Sequence, residues 1–240
     1  MKLLEKLKMN RDELVRHGPI NIVAYGDSVT HGGFAGAEVD QEAVYHNLLK
    51  KRILQISSYV PVNVINAGVG GLTAAQSLER MERHVFSHSP DLVIVSFGLN
   101  DVNGPLEEYL SALRTIFGRC KKYGVDAIFM TPNMLNTYVA EGTEDKHIPY
   151  AHITAEYQNS GKMDTYIGAA VALAKEMGIL VADCYSKWKR LAETEDTTLL
   201  LDNRINHPTR QMHQLFADTL FDVIFQKNVE IVSENSTMYK

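Results

Sequence analysis

Short apolar runs alternate with longer amphipathic stretches along most of the chain. The runs are rich in β-branched residues, as buried strands are, whereas the stretches repeat apolar residues at intervals of three and four, as helices do. The predicted strands are Ile20–Tyr25, Val62–Ile65, Leu92–Phe97, Ala127–Met130 and Leu180–Ala182. The predicted helices are Gln41–Ile56, Thr73–Phe86, Leu106–Tyr123, Gly161–Met177 and Thr209–Phe225.

This alternation of strand and helix predicts the fold class. Strands that are almost wholly apolar and separated by helices form parallel sheets with right-handed crossovers and helices on both faces. The sequence therefore predicts a doubly wound α/β sandwich. Ligands of such sheets bind beyond the carboxyl ends of the strands, so the residues that directly follow each strand are the candidate functional residues.

The length of 240 residues and the 45% hydrophobic composition favour one domain that spans residues 1–240. Two segments depart from this pattern. Residues 1–18 are densely charged and are predicted to form a helical extension laid on the body. Residues 133–160 follow the fourth strand and are polar and weakly periodic. We expect them to form an insertion loop that contacts substrate or acts as a lid.

Charge and cysteine content narrow the classes of partner. Acidic residues outnumber basic ones by 29 to 24 and no dense basic run occurs, which argues against nucleic acid as a partner. The charged start lacks the apolar run of a signal peptide or a spanning helix, so we expect a cytoplasmic protein that does not bind membranes. Cys120 and Cys184 are far apart and lack metal-ligand spacing, which argues against a disulfide framework and a metal site.

The loop after the first strand holds a candidate nucleophile. It reads Gly26-Asp27-Ser28, which places a serine at a tight strand-to-helix connection where its hydroxyl can face a crevice. The structural alternative is that Asp27 or Ser28 only caps the segment that follows. His31, three residues further on, is more typical of a helix-side or surface histidine than of a contact to a leaving group.

The loops after the second and third strands contain candidate oxyanion donors. Residues 66–73 read Asn-Ala-Gly-Val-Gly-Gly-Leu-Thr, and closely spaced glycines let backbone amides approach a ligand. Asn100 follows the third strand and can donate through its side-chain amide. The alternatives are a plain turn in the first loop and an Asx cap before Pro105 in the second. Neither loop matches a dinucleotide-binding or phosphate-loop pattern.

A histidine precedes the last predicted helix. Residues 199–208 read Leu-Leu-Leu-Asp-Asn-Arg-Ile-Asn-His-Pro and place His207 in a loop. A histidine with a pKa near ~6.5 can take the serine proton and return it to a leaving alcohol. Asp183, directly after the fifth strand, is instead expected to cap a turn or a helix.

As a set, these motifs resemble those of the SGNH hydrolases, also called the GDSL esterase/lipase family. The matching pieces are Gly-Asp-Ser at 26–28, Gly71 in Asn-x-x-x-x-Gly-x-Thr, Gly-x-Asn-Asp at 98–101 and His207-Pro208. The resemblance extends from about Ile20 to Phe225. It implies a flavodoxin-like three-layer α/β/α sandwich with a five-stranded parallel sheet in the order 2-1-3-4-5. It also implies a serine esterase without metal or organic cofactor, whose partner is a small-molecule acyl ester.

The resemblance also implies a role for each matching residue. Ser28 is the nucleophile and His207 the general base. The backbone amides of Ser28 and Gly71 and the side chain of Asn100 form the oxyanion hole. Gly68 and Gly70 are alternatives to Gly71, although the family spacing favours Gly71.

One position departs from the family pattern. The family usually has Asp three residues before the histidine, where this sequence has Arg204. Either Asp202 orients His207 from a bulged loop, or a backbone carbonyl does so in a Ser–His dyad. The acid holds the tautomer of the ring, so its displacement slows catalysis without abolishing it.

The expected function is hydrolysis of short-chain acyl esters, including O-acetylated sugars. The sequence shows no long apolar lid helix of the kind that binds a lipid interface, which argues against long-chain lipid substrates. Thioesterase and lysophospholipase activities are alternatives within the family. A non-catalytic carbohydrate-binding or scaffold protein on the same fold is an alternative outside it, supported only by the missing Asp. A nucleotide-binding module is disfavoured, because Asp27 would repel phosphate and no partnering lysine follows. The sequence leaves the oligomeric state open.

Overall fold

Five parallel strands form the central sheet of the computed structural model, which describes residues 1–225. The strands are β1 (Ile20–Gly26), β2 (Val62–Asn66), β3 (Leu92–Ser96), β4 (Asp126–Met130) and β5 (Leu180–Ala182). Their order is β2-β1-β3-β4-β5, and every neighbouring pair is parallel. The predicted fold class and strand order are therefore confirmed.

The α-helices of the described residues cover both faces of this sheet. They are α1 (Lys2–Lys6), α2 (Arg11–His17), α3 (Ser28–His31), α4 (Tyr45–Ile56), α5 (Ala74–Ser77), α6 (Met81–His84), α7 (Leu106–Lys122), α8 (Ile148–Asn159), α9 (Lys162–Glu176), α10 (Cys184–Leu191) and α11 (His213–Phe225). Helices α4 and α11 pack against each other, and α7 packs against α5 and α9. Of the predicted domain 1–240, residues 226–240 lie outside the described residues.

The predicted helix Thr73–Phe86 is broken into α5 and α6, with a 3₁₀ turn between them. The hydroxyl of Tyr25 donates to the carbonyl of Ser77. The guanidinium of Arg119 donates to the carbonyl of Leu78 at 3.0 Å. These side chains occupy carbonyls that would otherwise accept from the next turn, so a continuous helix over this range was the wrong prediction.

The first eighteen residues form two helices rather than one. Asn10 separates them, because its side chain accepts from the amides at the start of α2 and forms a capping box with Glu13. Leu3 on α1 is fully buried, and Lys6 forms an ion pair with Asp91 at 2.9 Å. Within residues 1–225 no helix is both long and apolar enough to cross a lipid bilayer.

Residues 133–160, predicted to form an insertion loop, belong to the packed body and include a helix. The chain from 133 to 136 is buried, and α8 occupies much of the remainder. The buried face of this helix consists of Ala151, Thr154, Ala155 and Gln158. These residues are small or polar, so the helix has no apolar period that a sequence pattern could detect. Gln158 accepts from the amide of Leu135 at 2.9 Å, which ties the two ends of the segment together.

Candidate active site

Ser28 lies at the carboxyl edge of the sheet, directly beyond β1. Asp27 caps α3 by accepting from the amide of Val29 at 3.0 Å, so the capping role falls to Asp27 and the serine hydroxyl is left for another partner. Gly26 permits the tight connection, because a Cβ there would lie 2.2 Å from Thr30 Oγ1 and 2.5 Å from the carbonyl of Ser96. A side chain at position 26 would push the serine loop away from β3.

The partner of the serine hydroxyl is His207. Its Nε2 atom lies 2.8 Å from Ser28 Oγ. Gly33 flanks the pair, since a Cβ at that glycine would lie 3.4 Å from His207 Cε1 and 3.6 Å from Ser28 Cβ. The structure therefore brings the predicted nucleophile and base to the distance that proton transfer requires.

Asn203 shapes the loop that carries His207. Its Oδ1 atom accepts from the backbone amides of Ile205 at 3.0 Å, Asn206 at 2.9 Å and His207 at 2.9 Å. Sequence reasoning did not single out this asparagine. An asparagine in the loop just before His207 is itself a usable signal, because Asn side chains commonly accept hydrogen bonds from amides a few residues ahead in tight loops.

Arg204, at the position of the family acid, stabilises the same loop from its outer side. Its backbone has φ of +60°, in the left-handed region. Its guanidinium donates to the carbonyls of Leu199 and Leu201, each at 2.8 Å. Arg204 therefore braces the turn through these two carbonyls.

Asp202 makes no hydrogen bond to the imidazole among the described residues. Its Oδ2 atom accepts from the backbone amide of Ala35 at 2.7 Å, in the loop that follows α3. Its own amide donates to the carbonyl of His207 at 2.6 Å. The carboxylate thus lies near the histidine but binds a neighbouring loop instead of the ring.

His207 is mostly enclosed, and burial lowers its pKa below the ordinary value. The backbone carbonyl of Phe34 and the carboxylate of Asp202 act against burial and raise the pKa of His207, whereas His147 lowers it further. Nδ1 is buried without a hydrogen bond of good geometry to a described residue. The neutral ring, which a general base needs, therefore persists to lower pH than in water.

Two buried carboxyls adjoin predicted site residues along the chain, Asp27 next to Ser28 and Asp101 next to Asn100. Burial raises the pKa of Asp27 to about 7 and that of Asp101 to about 6. Asp27 accepts from the amide of Val29 and Asp101 from that of Ala74, and each hydrogen bond lowers the pKa of its carboxyl. Each carboxyl thus anchors the start of a helix.

Asn100 is tied to the loop after β2. Its Nδ2 atom donates to the carbonyl of Leu72 at 3.1 Å, which leaves the second amide hydrogen for a ligand. Within residues 1–225, the backbone amides of Ser28 and Gly71 take part in no hydrogen bond. The predicted oxyanion donors are therefore groups with unused donor capacity at one edge of the sheet.

The three glycines of the second loop have different surroundings. A Cβ at Gly68 would lie 2.3 Å from the backbone nitrogen of His31, so this glycine serves close packing. A Cβ at Gly70 would lie 3.7 Å from Ser28 Cβ and 4.0 Å from His31 Nδ1. Gly71 has φ of +78° with open space around it. His31 lies in α3 and is only partly exposed, and its Nδ1 adjoins Gly70 beside Ser28.

Residues 133–160 contact the rim of the site at two points. Glu144 Oε1 accepts from the amide of Gly36 at 3.1 Å. Tyr150 accepts at its hydroxyl from Asn103 Nδ2 at 3.2 Å, close to Asn100. Polar groups of this segment therefore contact the loop after α3 and the turn after Asn100, and a lid motion stays a prediction.

The other singled-out residues lie away from the Ser28–His207 pair. Asp183 caps α10 by accepting from the amide of Ser186 at 3.1 Å, so its predicted capping role is confirmed. Cys120 and Cys184 are free and buried, and burial raises the pKa of each thiol to about 12. Among the described residues, no group of three or more His, Cys, Asp or Glu side chains is placed to hold a metal ion.

Solved structures with the same fold include two hydrolases. Axe2, an acetylxylan esterase from Geobacillus stearothermophilus, has a TM-score of 0.66 and 23% identity, over 86% of this chain and 94% of that chain. LAE5, an alpha/beta hydrolase enzyme from the metagenome of Lake Arreo, Spain, has a TM-score of 0.65 and 22% identity, over 85% and 94%. At these identities the likeness establishes the fold.

Sequence comparison adds a relative and a family. A stretch of 111 residues is 29% identical to an arylesterase from Vibrio mimicus, and it covers 45% of this chain and 52% of that protein. The match thus spans about half the length of this curated relative. The sequence model of the GDSL-like lipase/acylhydrolase family matches residues 24–215, a range that includes Ser28, Asn100 and His207. The chain therefore belongs to the GDSL-like lipase/acylhydrolase family, a class of ester-bond hydrolases.

Proposed function

We propose that this protein is a serine hydrolase of short-chain acyl esters, with O-acetylated sugars as a substrate class, and that it forms an acyl-enzyme on Ser28. The observation that carries the proposal is the distance of 2.8 Å between Ser28 Oγ and His207 Nε2. A serine hydroxyl is a weak nucleophile until a neighbouring base removes its proton. His207 is enclosed and largely neutral at pH 7, because burial lowers its pKa.

In the first half-reaction, Ser28 Oγ attacks the ester carbonyl carbon while His207 Nε2 takes the hydroxyl proton. The carbonyl electron pair moves onto oxygen, and the amides of Ser28 and Gly71 and the side chain of Asn100 donate to that oxyanion. Donors fixed in advance stabilise such charge strongly, and removal of one typically costs about 10²–10³ in rate. The imidazolium then protonates the leaving alcohol as the ester C–O bond breaks.

The second half-reaction repeats these steps with water. His207 removes a proton from a water molecule, whose oxygen attacks the acyl carbon bound to Ser28. The same donors hold the second oxyanion. Collapse of this intermediate returns the proton to Ser28 Oγ and releases the carboxylic acid, so the enzyme ends in its starting state.

The polar rim supports a hydroxyl-rich alcohol portion in the substrate. Asn103 donates both to the carbonyl of Asn100 at 3.0 Å and to the hydroxyl of Tyr150. Amide and phenol groups of this kind can exchange hydrogen bonds with sugar hydroxyls. Axe2 shares the fold and acts on acetylated xylan, which adds support by analogy.

The proposal includes a cytoplasmic location. Its support is that Cys120 and Cys184 are separate, buried thiols, a state typical of reducing compartments. Fractionation of the source cells followed by detection of the protein tests this part separately.

The proposal is tested with p-nitrophenyl acetate, butyrate and octanoate. Wild type and Ser28→Ala are assayed in parallel, and we expect hydrolysis to fall by at least about 10³-fold in the variant. The wild type should hydrolyse the acetate ester fastest. Ser111→Ala, on the exposed side of α7, is the matched control and should retain wild-type rates. Quenched mixtures with the acetate should contain protein heavier by one acetyl group, located on Ser28.

Four outcomes would contradict the proposal or its sugar specificity. Activity that survives Ser28→Ala would remove the serine mechanism, and no activity on any ester would favour the non-catalytic binding protein. A preference for octanoate would instead indicate a long-chain substrate. O-acetylated xylose is then compared with p-nitrophenyl acetate, and a lower kcat/KM on the sugar than on the activated ester would argue against sugar specificity.

A further inference from the structure

The carboxylate of Asp202 and the imidazole of His207 lie on opposite sides of one backbone peptide group. Asp202 Oδ2 accepts from the amide of Ala35 at 2.7 Å. Gly33, just before this peptide group, lies beside the ring of His207, because a Cβ built at Gly33 would be 3.4 Å from His207 Cε1. The chain between the two contacts is Phe34, which is 3% exposed.

The carbonyl of Phe34 and the amide of Ala35 belong to the same peptide unit. Because this unit is trans, its N–H and C=O point in opposite directions. An acceptor that holds the N–H of Ala35 therefore also fixes the direction of the Phe34 carbonyl. A carboxylate acceptor further polarises the peptide and increases the negative charge on that carbonyl oxygen.

We propose that Asp202 is a positioning residue that acts on His207 through the Phe34–Ala35 peptide, in place of the acid that Arg204 displaces. This inference rests on the proposed serine mechanism. When His207 takes the proton of Ser28 at Nε2, the ring becomes positively charged and Nδ1–H donates to the Phe34 carbonyl. No proton moves along the peptide, so Nδ1 keeps its hydrogen throughout.

The geometry of the free enzyme fits a contact that tightens during the reaction. Nδ1 is buried and lacks a well-formed hydrogen bond to any residue in 1–225. Catalytic hydrogen bonds are often long before substrate binds and shorten when charge develops. The Phe34 carbonyl already favours the charged ring, since it is the largest influence that raises the pKa of His207.

Other charged or titratable groups also surround the ring. His147 approaches from the segment 133–160 and lowers its pKa. His213 approaches from α11, and burial lowers its own pKa to about 3, so it is neutral near pH 7. Arg210 lies over the ring of Phe34 at 4.3 Å and pairs with Glu38 and Asp40. Asp202 is the acidic side chain that raises the pKa of His207.

The test measures the pKa of His207 by NMR titration of its ring carbons in wild type, Asp202→Asn and Asp202→Ala. The variant His207→Gln assigns the signal. In Asp202→Asn the amide oxygen can still accept from Ala35, so the loop stays tied and only the charge is lost. We expect the pKa to fall, because a group that raises it has been removed. A merely structural role predicts the opposite, since a loosened loop would admit water and move the pKa up toward its ordinary value.

The acidic limb of kcat/KM on p-nitrophenyl acetate should move to lower pH with the ring. The plateau should fall by about 10- to 100-fold, less than the roughly 10⁴-fold loss seen when an acid in direct contact with the ring is neutralised. Asp202→Ala should lower it further, because the tie to Ala35 is also lost.

Glu144→Gln is the matched control, because Glu144 holds the next amide of the same loop, that of Gly36. It should shift the pKa of His207 by less than Asp202→Asn does. The proposal is overturned if Asp202→Asn leaves the pKa unaltered or raises it, or if Glu144→Gln shifts it equally. The NMR titration needs no substrate, so it separates failure of this inference from failure of the proposed function, which Ser28→Ala reports.

Discussion

The loop that carries Ser28 and the loop that carries His207 meet at 2.8 Å, yet different contacts hold their backbones. On the serine side, glycines allow backbone to touch backbone: a Cβ at Gly26 or Gly68 would lie within 2.5 Å of a neighbouring atom. On the histidine side, Asn203 holds three successive amides with one oxygen. One added carbon should therefore disrupt the first loop, whereas one removed acceptor should disrupt the second.

The largest effect is expected from Gly68→Ala. The new Cβ would lie 2.3 Å from the nitrogen of His31 and 2.7 Å from the carbonyl carbon of Thr30, so two backbone segments must separate. Overpacking of this kind costs about 3 kcal/mol or more. For a chain of this size the midpoint of thermal unfolding should fall by roughly 6–12 °C, as measured by circular dichroism.

Gly70→Ala is the control, two residues away in the same loop. A Cβ there meets Ser28 Cβ at 3.7 Å, an ordinary contact distance, so unfolding should stay close to that of the wild type. If Gly68→Ala melted no lower than Gly70→Ala, the serine loop would not depend on close backbone packing.

An intermediate effect is expected from Asn203→Ala. The substitution leaves the amides of Ile205, Asn206 and His207 without their shared acceptor, which should cost about 2 kcal/mol of unfolding free energy. Since His207 is then held less firmly toward Ser28, kcat/KM on p-nitrophenyl acetate should drop on the order of 10- to 100-fold. Stopped assays and urea unfolding measure the two quantities.

Asn203→Asp retains an oxygen acceptor and should restore most of the lost stability. A fully active Asn203→Ala enzyme would show that the loop is held by Arg204 and the backbone instead. Equal losses in the Ala and Asp variants would contradict the role assigned to the acceptor.

The sequence predicts the parts of this site that follow from strand ends. Ser28 and Asn100 each come directly after a strand of one parallel sheet, so their common edge follows from the pattern of strands and helices. His207 was found by its motif. The position of Asp202 could not be predicted, because its partner Ala35 is 167 residues away and depends on how two irregular loops fold. Helix α8 was missed since its buried face is small and polar.

The smallest effect is expected from Gly33→Ala, where the two loops face each other. Its Cβ would lie 3.4 Å from His207 Cε1 and 3.6 Å from Ser28 Cβ, close enough to touch both side chains without a severe clash. The free energy of unfolding should change by less than about 0.5 kcal/mol, as for substitutions that create no cavity or buried polar group. Because a misplacement of about 1 Å can cost 10²-fold in rate, a shift of a few tenths should lower kcat/KM only about fivefold. Thermal unfolding and p-nitrophenyl acetate hydrolysis check both values, and a rate equal to that of the wild type would show that the ring of His207 has room to move away from this glycine.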